Sequence, residues 1–501
     1  MEFGGKLLVR NTGLNVLSQA TPFVAALLAI PLLVPALGVE RFGVLSLVWV
    51  LLANVAIFDV GLGRATTRTV AEALGGGNQE DIPRLVWTAA AVQLLVGATS
   101  GLLGAGLAPV VVGRVLSVSP DLAGDAQVAF VLVALTIPVI AVSTSFAGAL
   151  EAAQRFDLVM AVRLPTGVLT FLMPLIGVLL GFGLPGIVGL LLLARAGALL
   201  AWLVLSMRIF PDLKRLQRPR RALMARLWSF GGWIAMCQIA APCLRYVDRY
   251  VIGALLSMSA LAYYAAPFDL IERVWMLPTS LVLTLFPAFT ALSGRPDLAR
   301  ARQLFVRSVS YLVLAMSPIA LVLTVYAGPL LGLWLGEDFA RHGTLPLQLF
   351  ALTSMFAAIA PVSGSVIEGY GRPRVIATLY LCALPLNAAL TWALVNAIGL
   401  PGAALSFGIR ALAETAVLSV VASRIVHLRF TLAVRDLGRP LAIIVSLGAA
   451  GVMLDGLAED HLLRAVAVCA MVVGAATASW HWVLTRDDRN SVLAVFGGRM
   501  P

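Results

Sequence analysis

About 14 stretches of roughly 20 predominantly apolar residues follow one another along the chain, separated by short polar turns. Each matches the length a helix needs to cross a hydrocarbon core about 30 Å thick. Lipid offers backbone N–H and C=O groups no partner, so segments of this length must bond internally as helices. Of the 501 residues, 60% are apolar and only 12% charged, with a mean hydropathy of +0.95. Such a balance excludes a soluble domain and predicts an all-α polytopic membrane protein. The span centres fall near Ala25, Leu51, Leu95, Leu135, Leu169, Leu193, Ile239, Trp275, Leu321, Ala358, Leu386, Phe407, Ser446 and Val473. The eighth, within 260–291, is long and carries Pro267, Pro278 and Pro287.

The first run, from Leu14 to Leu37, follows Lys6 and Arg10 but outlasts a signal-peptide core and ends without a small-x-small site. It is read as the first span, preceded by a short interfacial segment, MEFGGKLLVRNT. Cys237, Cys243, Cys382 and Cys469 all fall within predicted spans, where cysteine is a small packing residue. The four histidines form no cluster with ligand spacing, so no metal site is expected.

Basic residues orient the spans. With a cytoplasmic N-terminus, 27 of the 36 Lys and Arg residues fall on the inside, and Arg41, Arg114, Arg341 and Arg464 on the outside. That is the positive-inside pattern. It accounts for the net charge of +11 through the anionic inner leaflet, with no nucleic-acid partner. Five bases remain within spans: Arg195, Arg245, Arg249, Arg273 and Arg410.

A repeat crosses the basic stretch 208–226. ALEAAQRF (149–156) matches VIEGYGRP (366–373), and LPGIVGLLLLAR (184–195) matches LPGAALSFGIR (400–410) with one gap. Each half therefore holds an even number of spans, which makes the repeat parallel. The domain boundaries that follow are 1–210 (spans 1–6), 211–226 (a basic cytoplasmic linker), 227–430 (spans 7–12), and 431–501 (two further spans and a cytoplasmic tail).

The costliest residues lie between Leu244 and Arg273, where two apolar helices meet at a turn near Ser257–Ser259. Arg245 lies roughly 18 Å from that turn at 1.5 Å per residue, and a charge at such depth needs a wet cavity or a partner. Arg245, Asp248 and Arg249 share a helical face at i, i+3, i+4, as do Asp269, Glu272 and Arg273. Two roles fit the first trio, a binding face in which Asp248 holds an arginine until a ligand displaces it, or a self-neutralised structural triad. For the second, Arg273 is a substrate-contact candidate. Asp269 and Glu272 are candidates for a protonation or Na⁺ site, the alternative being an ion pair such as Asp269 with Arg245. Arg195 has no acid within four residues, whereas Arg410 has Glu414 one turn on. Asp59 is either a gate residue or a polar helix end, and Gln19 either a functional amide or an interhelical hydrogen-bonding group. Tyr246, Tyr250, Tyr263 and Tyr264 are candidates for stacking on a ligand or for interfacial belts.

The order NTGLNVLSQATPFVAALLAIPLLVPALGVERFGVLSL, IFDVGLGRATTRTVAE, YVDRYVIGALLSMSALAYYAAPFDLIERVWMLPTSLVLTLFPAF, EGYGRPR and GLPGAALSFGIRALAE resembles the polysaccharide-export (Wzx-type) flippases of the multidrug/oligosaccharidyl-lipid/polysaccharide exporter superfamily. The resemblance spans nearly the whole chain. It implies two six-helix lobes in a V plus two trailing helices, alternating access, and movement of undecaprenyl-diphosphate-linked oligosaccharide units from the inner to the outer leaflet of a bacterial cytoplasmic membrane. Implied partners are membrane lipid, the lipid-linked glycan and the polymerase and ligase machinery of surface polysaccharide. Arg245, Arg249, Arg273, Arg195 and Arg410 are then the substrate-binding candidates, because guanidinium stays protonated and forks two donors onto a phosphate; the first trio becomes a candidate diphosphate cradle and the four tyrosines candidates for stacking on sugars.

Lipid II flippases and drug/cation antiporters share the implied fold and are the alternative. An antiporter of cations favours an acidic lumen, whereas here bases match or exceed acids within the spans. A membrane glycosyltransferase or ligase needs a large folded outer loop, and the longest outer turn runs only near Val111–Asp125. No cofactor is expected. The chain has no phosphate-binding G-x-x-x-x-G-K-[ST] loop and only two lysines, Lys6 and Lys214, which points away from ATP. Membrane potential, H⁺ and Na⁺ remain as energy sources.

Overall fold

A computed structural model describes residues 5–54, 62–75, 79–215, 217, 240–293 and 298–427. Every regular element among them is helical, and the protein is an all-α polytopic membrane protein. Eight helical stretches among the described residues are long and apolar enough to cross a bilayer. The expected spans near Ser446 and Val473, all of 431–501, Asp59 and most of the 211–226 linker lie outside the described residues.

The chain divides into two compact units, 1–262 and 263–501. The first holds α1 (Gly5–Leu37), α2 (Val39–Ala53), α3 (Leu62–Gly75), α4 (Ile82–Val110), α5 (Pro120–Ala152), α6 (Phe156–Leu179), α7 (Leu184–Ile209) and the described part of α8, residues 240–255. Helix α1 is unbroken from Gly5, so the expected interfacial residues from there on are helical and continuous with the first span. Helix α4 packs along α5, α5 against α7, and α1 against α6. Small residues make the α4–α5 approach close. A side chain on Gly97 meets the Pro138 backbone, and one on Gly101 meets the Ala134 carbonyl. Packing of this kind holds helices together where lipid removes the hydrophobic drive. A buried cluster of Val70, Val86, Phe146, Leu150, Val159 and Trp202 fills the opposite end. Leu213, just after α7, joins that cluster, and its carbonyl accepts a hydrogen bond from the Trp87 indole at 3.1 Å.

The second unit takes most of α9 (Met258–Val274), then α10 (Met276–Ser293), α11 (Leu298–Val325), α12 (Ala327–Leu335), α13 (Glu337–Ala357), α14 (Ile359–Gly369), α15 (Pro373–Ile398) and α16 (Leu400–Ile425). Phe289, Phe305, Val309, Met355, Val366 and Leu418 form its main core. The long eighth stretch breaks at Trp275, between α9 and α10. Pro278 accounts for the break, because its ring collides with the carbonyl four residues back, at Val274.

The internal repeat is visible in backbone detail. At the end of α5, Ala153 N–H donates to Ala149 O, Gln154 N–H to Glu151 O and Arg155 N–H to Leu150 O, at 3.1, 2.9 and 3.0 Å. At the end of α14, Tyr370 donates to Val366, Gly371 to Glu368 and Arg372 to Ile367, at 3.0, 2.9 and 2.9 Å. Both are helix caps closed by a left-handed residue, Gln154 at φ 58° and Gly371 at φ 72°. The second pair of matched segments opens α7 and α16, each 26 residues long with proline in its first turn. Glycine fits the left-handed position without a penalty, whereas a side chain there costs about 1 kcal/mol or more. Gln154→Gly is therefore expected to raise the thermal midpoint of the detergent-solubilised protein, and Gly371→Ala to lower it, each by about 1 kcal/mol of stability.

Candidate functional site

Arg195 lies near the middle of α7, half-buried. Its Nη2 donates to Thr170 Oγ1 on α6 at 3.0 Å, its sole hydrogen bond among the described residues, where it has no carboxylate partner. The Thr170 hydroxyl proton is already committed to the Thr166 carbonyl at 2.9 Å, so a lone pair is left to face the guanidinium. The Trp49 indole on α2 donates to the Thr170 carbonyl at 3.2 Å and its ring lies 5.1 Å from Phe171. Three helices thus fix one hydroxyl, and that hydroxyl aims one charge. A guanidinium carries five N–H donors, so Arg195 retains several for water or an anion.

On α8, burial separates the trio that shares a helical face: Asp248 and Arg249 are buried, Arg245 is exposed. Arg249 lies over the Tyr246 ring at 5.2 Å, and Asp248 Oδ1 accepts the Arg249 backbone N–H at 3.0 Å. All three make further interactions.

In the second unit, Tyr264, Phe268 and Ile271 turn the buried face of α9 inward at helical spacing. Asp269, Glu272 and Arg273 occupy the other side, half-buried, each with partners. Phe268 packs edge-on against Phe350 of α13 at 5.5 Å and Phe407 of α16 at 5.4 Å, with Tyr264 against Phe350 at 5.1 Å. Tyr264 is fully buried in this aromatic lattice, which corrects its reading as a sugar-stacking or belt residue. Tyr263 stacks on the His342 ring at 4.6 Å.

The lattice continues into an ion network. Arg410 lies 5.1 Å above the Phe407 ring and pairs with Glu414 at 3.0 Å, as the i, i+4 spacing predicts. Tyr380 of α15 donates its hydroxyl to the other Glu414 oxygen at 3.1 Å. Arg195 and Arg410, equivalent by repeat, are therefore held by different chemistry, one by a neutral hydroxyl and one by a carboxylate. Thr170, Trp49 and Tyr380 were not legible as site residues, since each meets its partner across a helix pair. The side chain of Gln19, on α1, lies outside the described residues, as does Asp59. Among the described residues no group of three or more His, Cys, Asp or Glu side chains has the geometry to hold a metal.

The model of the polysaccharide biosynthesis protein family matches residues 8–293, more than half of the chain. The chain belongs to that family. A second family model, MatE, matches residues 234–393. Among curated proteins, the chain is similar to a “Putative O-antigen transporter” of Shigella flexneri, 25% identical over 418 residues, covering 83% of this chain and 98% of that one. Among solved structures it resembles an inward-facing multidrug resistance MATE family transporter of the MOP superfamily, with TM-score 0.70 and 14% identity over 82% of this chain and 98% of that one. A MOP superfamily transporter from Pyrococcus furiosus gives TM-score 0.59 at 14% identity, over 84% and 95%. The fold is that of the MOP superfamily, and these relatives are transporters rather than enzymes.

The Arg410–Glu414 pair is largely shielded, with side-chain exposures of 13% and 19%. Removing one member leaves the other buried without compensation, the costly case for an ion pair. Glu414→Ala is expected to destabilise the detergent-solubilised protein by about 3 kcal/mol, and Arg410→Leu with Glu414→Leu to recover most of that loss. Thermal unfolding of the two variants beside the parent checks it.

Proposed function

We propose that the protein moves undecaprenyl-diphosphate-linked oligosaccharide units from the inner to the outer leaflet of a bacterial cytoplasmic membrane, for surface polysaccharide synthesis, by alternating access. The observation that carries this reading is Arg195: a permanent cation within a span, fixed by a neutral hydroxyl and without a carboxylate among the described residues. A substrate bearing a diphosphate supplies the missing negative charge, and guanidinium matches phosphate geometry. Membership of the polysaccharide biosynthesis family and similarity to the Shigella flexneri protein along almost its whole length support the same substrate class.

Arg245, Arg249 and Arg273 act with Arg195 as substrate contacts, and Asp248, Asp269, Glu272 and Asp59 serve coupling and gating. Arg410, neutralised by Glu414, binds substrate only when that pair parts. Direction comes from the membrane potential, H⁺ or Na⁺. Carrying one net charge across 100 mV is worth about 2.3 kcal/mol, enough to bias a cycle. The polymerase and ligase of the same polysaccharide receive the product. The MatE match over 234–393 favours a second reading, an ion-coupled exporter of another lipid-linked or small-molecule substrate.

The deciding measurement is leaflet-resolved flipping in liposomes with a defined diphosphate-linked glycan, with and without ion gradients. Arg195→Ala is expected to slow flipping at least about tenfold, the equivalent of one charge-assisted hydrogen bond. The combined Ala substitution of Arg245, Arg249 and Arg273 is expected to abolish surface polysaccharide in complementation, with folded protein verified. Normal flipping by the Arg195 variant removes the anion-site reading, and cation efflux without glycan flipping selects the alternative.

A further inference from the structure

Residues 240–262 belong by sequence to the second half, yet they cluster with the first. The contact is built from three turns that join odd to even spans and therefore lie at one end of the bundle: Gly38, between α1 and α2; 116–119, before α5; and 256–257, between α8 and α9. Ser117 N–H donates to Gly253 O at 2.7 Å, and the Ser117 hydroxyl to Ala254 O at 2.9 Å. These two carbonyls lie in the last turn of α8, whose carbonyls lack partners within the helix. Glu40, in the first turn of α2, accepts the Ser119 N–H at 2.8 Å and so ties the same loop to a second helix.

Two glycines allow the approach. Gly43 of α2 lies directly against the Met258 carbonyl, where no Cβ fits. A Cβ on Gly253 meets Met258 Cε at 3.0 Å and Leu116 Cδ2 at 3.2 Å. The contact is therefore specific, with close backbone approach and donors matched to acceptors.

We infer that Glu40, Gly43, Ser117 and Ser119 form a latch for the α8–α9 tip, and that this latch closes the extracytoplasmic side and must release in each transport cycle. The inference rests on the proposed transport function for its role, and on the charge bias for which side is outside. A junction of a few hydrogen bonds between the loop before α5 and the end of α8 is what a two-state carrier needs: strong enough to populate one state and weak enough to open.

The test uses the full chain with Cys237, Cys243, Cys382 and Cys469 replaced by Ser. In S117C/A254C, a short bifunctional methanethiosulfonate is expected to bridge the pair, abolish export of surface polysaccharide, and restore it on reduction. Failure to bridge, or full export from bridged protein, overturns the latch. A second measurement is independent of transport. In A254C alone, Glu40→Ala and, separately, Gly43→Leu are each expected to raise labelling by a membrane-impermeant maleimide from outside by about fivefold. Unchanged labelling in both overturns the latch even where export is not measurable. If the unbridged parent moves no lipid-linked glycan while labelling rises as expected, the functional reading fails and the latch stands.

Discussion

A guanidinium within a bilayer-length helix must be held by something, because the surrounding medium offers it nothing. The repeat places two such groups at equivalent points, and their neighbours solve the problem differently. Arg410 is neutralised within its own helix by Glu414, which Tyr380 steadies from α15. Arg195 receives a single hydroxyl, itself oriented by Thr166. A carboxylate cancels charge, whereas a hydroxyl only orients it. The first half thus retains an electrostatic demand that the second half has met internally. Duplication supplied the frame, and the difference in partners gave the two halves different work.

What the halves share is backbone geometry. The caps after α5 and α14 match bond for bond, although one uses Gln154 and the other Gly371 at the left-handed position. The cap sets the angle at which the next helix leaves, so α6 and α15 depart alike. Ion pairs accompany the first of these caps: Arg155 forks onto Asp157 at 2.8 and 2.9 Å, and Glu151 pairs with Arg163. Exposed pairs of this kind contribute little stability, so the cap hydrogen bonds hold the geometry.

These levels were unequally legible in the sequence. Bilayer-length helices follow from run length, and the repeat from two pairs of matched segments, because both are local patterns. The Arg410–Glu414 pair follows from i, i+4 spacing for the same reason. Thr170 beneath Arg195 is 25 residues away, and Ser117 beneath Ala254 is 137 away. Chain order carries no signal for such meetings. Tyr264 beside Tyr263 shows the limit of composition: one is buried in an aromatic lattice and the other stacks on His342, a difference of one helical step. The α9–α10 break was legible only as a surplus of prolines, since the collision between Pro278 and the Val274 carbonyl depends on the backbone continuing as helix.

The chemistry of the junction between α8 and the loop before α5 bears on how such a carrier changes state. An apolar seal gains free energy in proportion to buried area and resists opening accordingly. A buried ion pair leaves two charges stranded when it parts. Hydrogen bonds to helix-end carbonyls avoid both difficulties, because water can take the place of either partner and each bond contributes only about 1 kcal/mol net. Two of them, from Ser117 to Gly253 O and Ala254 O, set by close glycine contacts, hold the proposed closed arrangement by about 2 kcal/mol. That matches in scale the 2.3 kcal/mol available for each charge carried across 100 mV. On the proposed reading, an anion bound at Arg195 would add differential free energy of similar size, so neither source alone need be large.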